Sequence, residues 1–358
     1  MSAPEIRIDQ LSGLRTILAP GRADRPDQFA SAGGEERGSK ADTCPFCEGR
    51  EERTPPEVYA VRPEGGGADS SGWTSRVVPN LYPALGGASA SEDSATASSP
   101  TSTGSEAGSF ASAGDPLLES RRAGEPDLFA SRSAEGTHEV IVNAPEHATA
   151  LAELSEERFA GAVETWRQRM RAHSDAPYVQ LIVNEGGGAG ASLEHTHAQL
   201  YALPFVPAAV ARERERAGAY SERTAGSGLL SDILVEEVRR RERLVAIDEQ
   251  AALICPWASR SPFELRVVPR GASARFEEDD GGAAMIHTAL RLLAKRFGHS
   301  PELNLWIRTA PRGTEHFHWY ADIAPRLAIK ASFELGTGVD INTYPPERAA
   351  ADLREILE

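Results

Sequence analysis

"GAGASLEHTHAQLYALP", residues 188–204, sets a run of small residues before two histidines on alternate positions, with a glutamine two places further on. Side chains alternate along a strand, so His195, His197 and Gln199 share one face while Thr196, Ala198 and Leu200 share the other. The stretch also has an echo. "HTHAQLYALP" (195–204) is matched by "HFHWYADIAP" (316–325), and each follows a strand-like run, "YVQLIVN" and "ELNLWIR". A second pair is "CPFC…RVVPNLYP" near the start and "CPWASRSPFELRVVPR" at 255–270. Two related halves follow, dividing near 205–225 and written as domains 1–205 and 206–358. Their polar residues differ, which predicts halves that have diverged in role.

Strand patterns fall at 15–18, 75–78, 138–143, 178–183, 199–202, 252–255, 263–268 and 303–307. Phe159, Val163, Trp166 and Met170 recur at helical spacing and predict an amphipathic helix starting near Ser155. Further helices are expected at 207–217, 231–243, 283–297 and 346–357, the last opening with proline in its first turn. Strands and helices mix without strict alternation, so the expected class is α+β. The stretch 86–136 is rich in Ser, Ala, Gly and Thr and reads as a disordered insertion carrying no chemistry. "RPEGGGADSSG" (62–72) reads the same way on a smaller scale.

With 358 residues the chain can bury a substantial core, and 40% hydrophobic with 25% charged residues are globular values. No run approaches the roughly 20 apolar residues of a membrane span, and the first residues carry no basic patch followed by an apolar run. A cytoplasmic protein is the expectation, with no membrane partner. A net charge of −15 argues against a nucleic-acid partner, but leaves room for a small polyanion held by a few concentrated arginines.

Three cysteines are too few for a disulfide framework. Cys44-Pro-Phe-Cys47 has the spacing of a metal knuckle, of a redox dithiol, or of two small apolar residues. His147, just after a strand, and His195 favour the first reading, because Cys44, Cys47, His147 and His195 would close a tetrahedral zinc site. Four protein ligands leave no open position, so the site would be structural and would hold His195 in place. His197 is then left nearer a substrate. A neutral imidazole with one free ring nitrogen is a competent nucleophile toward phosphorus, and the amide of Gln199 can donate to a phosphoryl oxygen as charge develops there. "NEGGGAGAS" (184–192) offers backbone N–H groups without Cβ obstruction, around Gly190, with Asn184 and Ser192 adding side-chain donors.

Together, "CPFCEGREERTPPEV", "RVVPNLYPAL", "GTHEVIVNAPEH", "NEGGGAGASLEHTHAQ" and "FELGTGVDIN" resemble the galactose-1-phosphate uridylyltransferase family, a two-domain branch of the histidine-triad superfamily. The resemblance implies two tandem histidine-triad-like domains, each an antiparallel half-barrel with packed helices. It implies ping-pong transfer, in which His197 takes a nucleoside monophosphate from a nucleotide sugar and passes it to a sugar 1-phosphate. It also implies zinc on Cys44, Cys47, His147 and His195, and Gln199 on the transferred phosphoryl group. Arg22, Arg25 and Asn80 would lie on the nucleotide, and Phe333 near the sugar, contributed across a homodimer.

The chain departs from the family pattern at Thr196 and Ala198, where Pro and Gly or Ser are usual. A second metal site of some members needs one glutamate and three histidines; Glu213 matches, but Arg308, Tyr320 and Asp322 stand at the other positions, so that site is expected to be absent. His316 and His318 read as core or rim residues and Cys255 as buried filling. Three alternatives stay open: a nucleotide-sugar phosphorylase of the ADP-glucose type, with inorganic phosphate as acceptor; a hydrolase, disfavoured because Gln199 stands where small histidine-triad hydrolases carry a third histidine; and a non-catalytic, zinc-stabilised nucleotide-binding protein.

Overall fold

The structure, a computed structural model, describes residues 3–22, 41–86 and 133–357. Nearly all of the 86–136 insertion, and Arg25, lie outside the described residues.

Alternating burial organises the molecule. In β7 (His197–Leu203) Ala198, Leu200 and Ala202 are buried, while Gln199, Tyr201 and Leu203 are half-exposed. The same alternation runs through β6 (Tyr178–Glu185) and β11 (Leu303–Arg308). These strands lie in the middle of one ten-stranded antiparallel sheet. On one side of the centre the order runs β3 (Tyr59–Val61), β4 (Ser75–Pro79), β5 (Thr137–Val142), β7, β6. On the other it runs β11, β12 (Tyr320–Pro325), β10 (Leu265–Pro269), β9 (Ala251–Ile254), β8 (Leu244–Ile247). The second run repeats the first in mirrored order, and the two meet where β6 pairs with β11, Val183 opposite Leu305. The expected α+β fold of two antiparallel halves is present, fused edge to edge into one sheet.

The apolar face, with Val77, Ile141, Ala198, Leu200, Leu305 and Ile323, packs against three helices in a single core spanning both halves: α1 (Glu156–Ala172), α4 (Ala283–Phe297) and α6 (Pro346–Leu357). Phe159, Val163, Trp166 and Met170 of α1 are all buried, as their spacing demands, and Ser155 caps the helix by accepting from the Arg158 N–H. Removing the fully buried Trp166 side chain would cost about 3–5 kcal/mol. The opposite face is a trough covered at its two ends. At one end Cys44, Phe46 and Trp73 pack on Val78, Val140 and Val142. At the other, Leu230 and Leu234 of α3 (Leu229–Arg240), beside α2 (Ala208–Arg223), pack on Ile254, Val268 and Tyr320.

Three expectations change. β1 (Glu5–Ile8) and β2 (Arg15–Leu18) form a small sheet with β13 (Asp340–Asn342), and dock on the second half through Thr16 Oγ1 donating to Ala258 O and Arg7 lying over the Trp257 ring. These N-terminal residues therefore sit against the second half, not the first. The 62–72 segment is ordered: Arg62 and the buried Arg76 both bind Glu57, and Arg76 also binds Asp69, since guanidinium groups withdrawn from water need carboxylate partners. The two "RVVP" runs occupy β4 and β10, whereas the mirrored counterpart of β10 is β5, so that match is not part of the repeat. "FELGTG" forms a short helix, α5 (Ser332–Thr337), leading into β13.

Candidate functional site

The covered end of the trough gathers four groups from three separate stretches of chain. Cys44 Sγ lies 3.5 Å from His195 Nδ1, and Cys47 Sγ lies 3.3 Å from His147 Nδ1 and 3.7 Å from His195 Nδ1. All four ligand atoms lie within 4.8 Å of one another. Thiolate and imidazole ligands of one tetrahedral zinc would stand about 3.6 Å apart, given ordinary bond lengths. His195 Nε2 is 2.9 Å from the Ala144 carbonyl, which can only accept; the ring proton is therefore on Nε2 and the Nδ1 lone pair faces the sulfurs. Burial holds the His195 pKa down to about 4, keeping the ring neutral. Burial, and then the neighbouring Cys44 thiol, push Cys47 up to about 11. The cluster could hold a metal ion, and a dication would reverse that shift.

His197 is 5% exposed, at the first position of β7. Its Nδ1 lies 2.8 Å from the carbonyl of His195, so the proton sits on Nδ1 and Nε2 keeps its lone pair. Burial lowers its pKa, which preserves that neutral form. Phe46, from inside the Cys-x-x-Cys element, lies edge-on to both rings, with centroids 5.3 Å from His197 and 6.1 Å from His195. Thr196 anchors the segment between them: its N–H donates to Ala148 O at 2.8 Å, and its hydroxyl accepts from Asn143 at 3.2 Å. A proline there could make neither bond.

Beyond His197 the trough is lined by carboxamides. Gln199 Oε1 is 3.0 Å from His138 Nε2 and accepts from the Tyr201 hydroxyl at 2.9 Å. Asn80 Oδ1 accepts from the Tyr82 N–H at 2.8 Å, and Asn80 Nδ2 is 3.0 Å from His138 Nε2. Asn184 Oδ1 accepts from Asn304, which also donates to Ala189 O. The glycine loop is committed internally rather than open as a nest. The N–H groups of Ala189, Gly190 and Ala191 go to carbonyls of Gly186 and Gly187, and that of Gly188 goes to the Glu302 carboxylate at 3.0 Å. A Cβ at Gly186 or Gly188 would collide with Glu302. Ser192 is exposed and, with Cys44 and His147, lines a 320 Å³ cavity beside the loop.

Arg22 ends a short 3₁₀ turn and is exposed. Phe333 is 46% exposed on α5. In the second half, Glu213 Oε2 accepts from the Tyr320 hydroxyl at 2.9 Å and pairs with Arg308 at 3.2 Å. Asp322 takes Arg266 in a two-pronged pair at 2.7 and 3.0 Å. A guanidinium of the chain itself thus stands against Glu213. His318 is buried, bonded to Ser231 and to the Pro269 carbonyl; His316 is exposed and Cys255 is fully buried. Sequence reasoning missed His138, Tyr201, Phe46 and Asn304. Alternation placed His138 on a face of its strand, but not opposite Tyr201, because strand pairing is a tertiary fact.

A mirrored antiparallel sheet with a Cys₂His₂ cluster behind a buried histidine defines an α+β protein with a candidate metal centre beside its trough. Residues 109–207 match the family profile of the galactose-1-phosphate uridyl transferase N-terminal domain. ADP-glucose phosphorylase of Arabidopsis thaliana is 29% identical over 99% of this chain and 93% of its own length. Galactose-1-phosphate uridylyltransferase of Thermotoga maritima is 28% identical over 64% of this chain and 77% of its own. The crystal structure of the Arabidopsis phosphorylase with bound ADP-glucose superposes with a TM-score of 0.74 at 26% identity, covering 99% of both chains. The chain is thus similar to galactose-1-phosphate uridylyltransferases and, over nearly its whole length, to ADP-glucose phosphorylase.

Proposed function

We propose that the protein transfers a nucleoside monophosphate from a nucleotide sugar through a covalent nucleotidyl-His197. One observation carries this reading: the His197 Nδ1 proton is given to the His195 carbonyl, leaving Nε2 as an unprotonated lone pair on a ring that is itself mostly buried. In the first step Nε2 attacks the α-phosphorus, the P–N bond forms, and the bond to the bridging oxygen breaks. The sugar 1-phosphate leaves as an anion whose second pKa is about 6, so it needs no proton, which suits an amide at position 199. In the second step an oxygen of the acceptor attacks the same phosphorus, the P–N bond breaks, and neutral His197 is regenerated. Gln199, Asn80, Asn184 and Arg22 would bind the phosphoryl and nucleotide oxygens, with Arg25, Gly190 and Ser192 alongside. Cys44, Cys47, His147 and His195 would hold Zn²⁺, whose contribution is to fix the chain on either side of Phe46 and His197.

Inorganic phosphate is the acceptor we favour, because the similarity to ADP-glucose phosphorylase extends over nearly the whole chain, second half included. A hexose 1-phosphate acceptor, giving uridylyltransferase-type exchange, is the second reading, supported by the matches to that enzyme. Ile329, Phe333 and Leu335 leave an apolar segment exposed, which supports a homodimer in which Phe333 reaches the partner's trough. No described helix is long and apolar enough to cross a membrane, and we place the enzyme in the cytoplasm.

The test is intact mass measurement after incubation with UDP-, ADP- and GDP-sugars. The expected result is one added nucleoside monophosphate, which identifies the base. Discharge by phosphate alone, or by hexose 1-phosphate alone, then separates the two acceptors. Binding of every donor without any added mass would support the non-catalytic reading instead.

A further inference from the structure

The strongest unassigned constellation is His138 with Tyr201. They face each other directly across β5 and β7, with rings stacked 4.0 Å apart and 24° from parallel, and both reach the oxygen of Gln199. The hydrogen-bond pattern fixes which atoms carry protons. The Ala84 backbone N–H donates to His138 Nδ1 at 3.2 Å, so that nitrogen holds a lone pair and the proton of the neutral ring is on Nε2. That proton goes to Gln199 Oε1, and the Tyr201 hydroxyl occupies the same oxygen's second lone pair. A flip would set the carboxamide NH₂ against the His138 N–H and lose that bond, although the Tyr201 hydroxyl can donate or accept, so His138 is the group that turns the nitrogen away from itself and toward the trough.

The neighbouring amides obey the same logic. The Ala189 carbonyl can only accept, so the Asn304 atom beside it is nitrogen; the Asn184 atom facing Asn304 is therefore oxygen, and Asn184 Nδ2 is left for a ligand. Tyr82 N–H fixes the oxygen of Asn80, and His138 Nε2, already protonated, cannot take an Asn80 proton as well.

We propose that His138, acting with Tyr201, is a positioning residue that locks the Gln199 carboxamide nitrogen toward the reacting phosphoryl group, completing a neutral donor set with Asn80 and Asn184. The proposal rests on the nucleotidyl-transfer reading above. Its chemical consequence is that an acidic protein meets the developing phosphoryl charge with oriented dipoles that need no reorganisation during the reaction.

The experiment is a double-mutant cycle on formation of nucleotidyl-His197, followed by rapid quench, with NMR of the histidine ring nitrogens. His138→Phe keeps the stack on Tyr201 and removes the Nε2 proton. It is expected to slow the half-reaction about tenfold in the wild-type background, a fraction of the loss on deleting such a donor outright, and less than about twofold in a Gln199→Ala background. Equal losses in both backgrounds would overturn the proposal by showing that His138 acts elsewhere. NMR is expected to find the His138 proton on Nε2; a proton on Nδ1 would also overturn it. The ring measurement needs no turnover. Failure of the wild-type protein to form any adduct would therefore refute the reaction, while the tautomer still decides the placement of Gln199.

Discussion

The two ends of the sheet share one topology and put it to opposite uses. β7 and β12 are mirrored strands, each preceded by a buried histidine whose Nε2 bonds a carbonyl at 2.9 Å, Ala144 O for His195 and Pro269 O for His318. His318, not His316, thus takes the place of His195; the sequence echo aligned by its prolines is two residues out of structural register. From there the first half sets His197 and Gln199 on the trough, and the second sets Tyr320 and Asp322. In the first half, the hydrogen bonds among the described residues use the oxygens of Gln199 and Asn184 and Nδ1 of His197. In the second, Tyr320 bonds Glu213, Arg308 pairs with Glu213 and Arg266 pairs with Asp322, so the chain's own groups occupy most of this hydrogen-bonding capacity beneath α3. Spare hydrogen-bonding capacity on a half-open face makes a site, and its mutual satisfaction makes a core.

The comparison is broken most directly at His197. His197→Ala is expected to abolish the covalent adduct and lower turnover by at least about 10³-fold, as measured by intact mass and steady-state rate. Survival of the adduct would move the nucleophile elsewhere. The next effect in size belongs to the Cys₂His₂ cluster, which among the described residues has no counterpart in the second half. Cys44→Ser should lower bound zinc from about one per chain to a small fraction and lower the melting temperature by on the order of 10 °C, since structural zinc contributes directly to folding. Elemental analysis and calorimetry check both.

A third test addresses the second half. Arg308→Met strands a buried carboxylate, with an expected loss of about 3 kcal/mol, most of it regained in Arg308→Met/Glu213→Gln. Urea denaturation measures the stability, and the folded variants should form nucleotidyl-His197 at the wild-type rate. A collapse of that rate would show that the second half takes part in the chemistry. The smallest effect is expected at Glu185, fully buried at the end of β6, which accepts from the Leu151 N–H while its other oxygen has no partner. Burial raises its pKa to about 8. Between about pH 4.5 and 8 the native state holds a proton that the unfolded chain has released, so stability falls as pH rises through this window. Glu185→Gln should therefore stabilise the protein by on the order of 1–2 kcal/mol near pH 8.5, and the gain should vanish toward pH 4.5. Melting curves across pH test this, and a pH-independent difference would refute it.

Periodicity and local motif made much of the molecule legible. α1 begins after Ser155 and α4 spans Ala283–Phe297, because apolar spacing and caps are local properties. All eight strand patterns fall on strands, although β1, β3, β8, β12 and β13, mostly short, escaped. Cys44, Cys47, His147 and His195 were named by spacing and residue type, and the fold brings them together. The nest expected of the glycine loop did not form, because Glu302, more than a hundred residues away along the chain, occupies the Gly188 amide.

The chain alone thus determined most of its elements and the residues of the Cys44, Cys47, His147 and His195 cluster, since these depend on side-chain chemistry and short-range spacing. Tertiary structure alone decided the partners of each ring and amide: the His195 carbonyl beside His197 Nδ1, the Ala84 N–H beside His138 Nδ1, and His138 with Tyr201 at the Gln199 oxygen. A ring or an amide carries no preferred orientation of its own. It acquires one from the carbonyls and N–H groups that distant strands bring beside it.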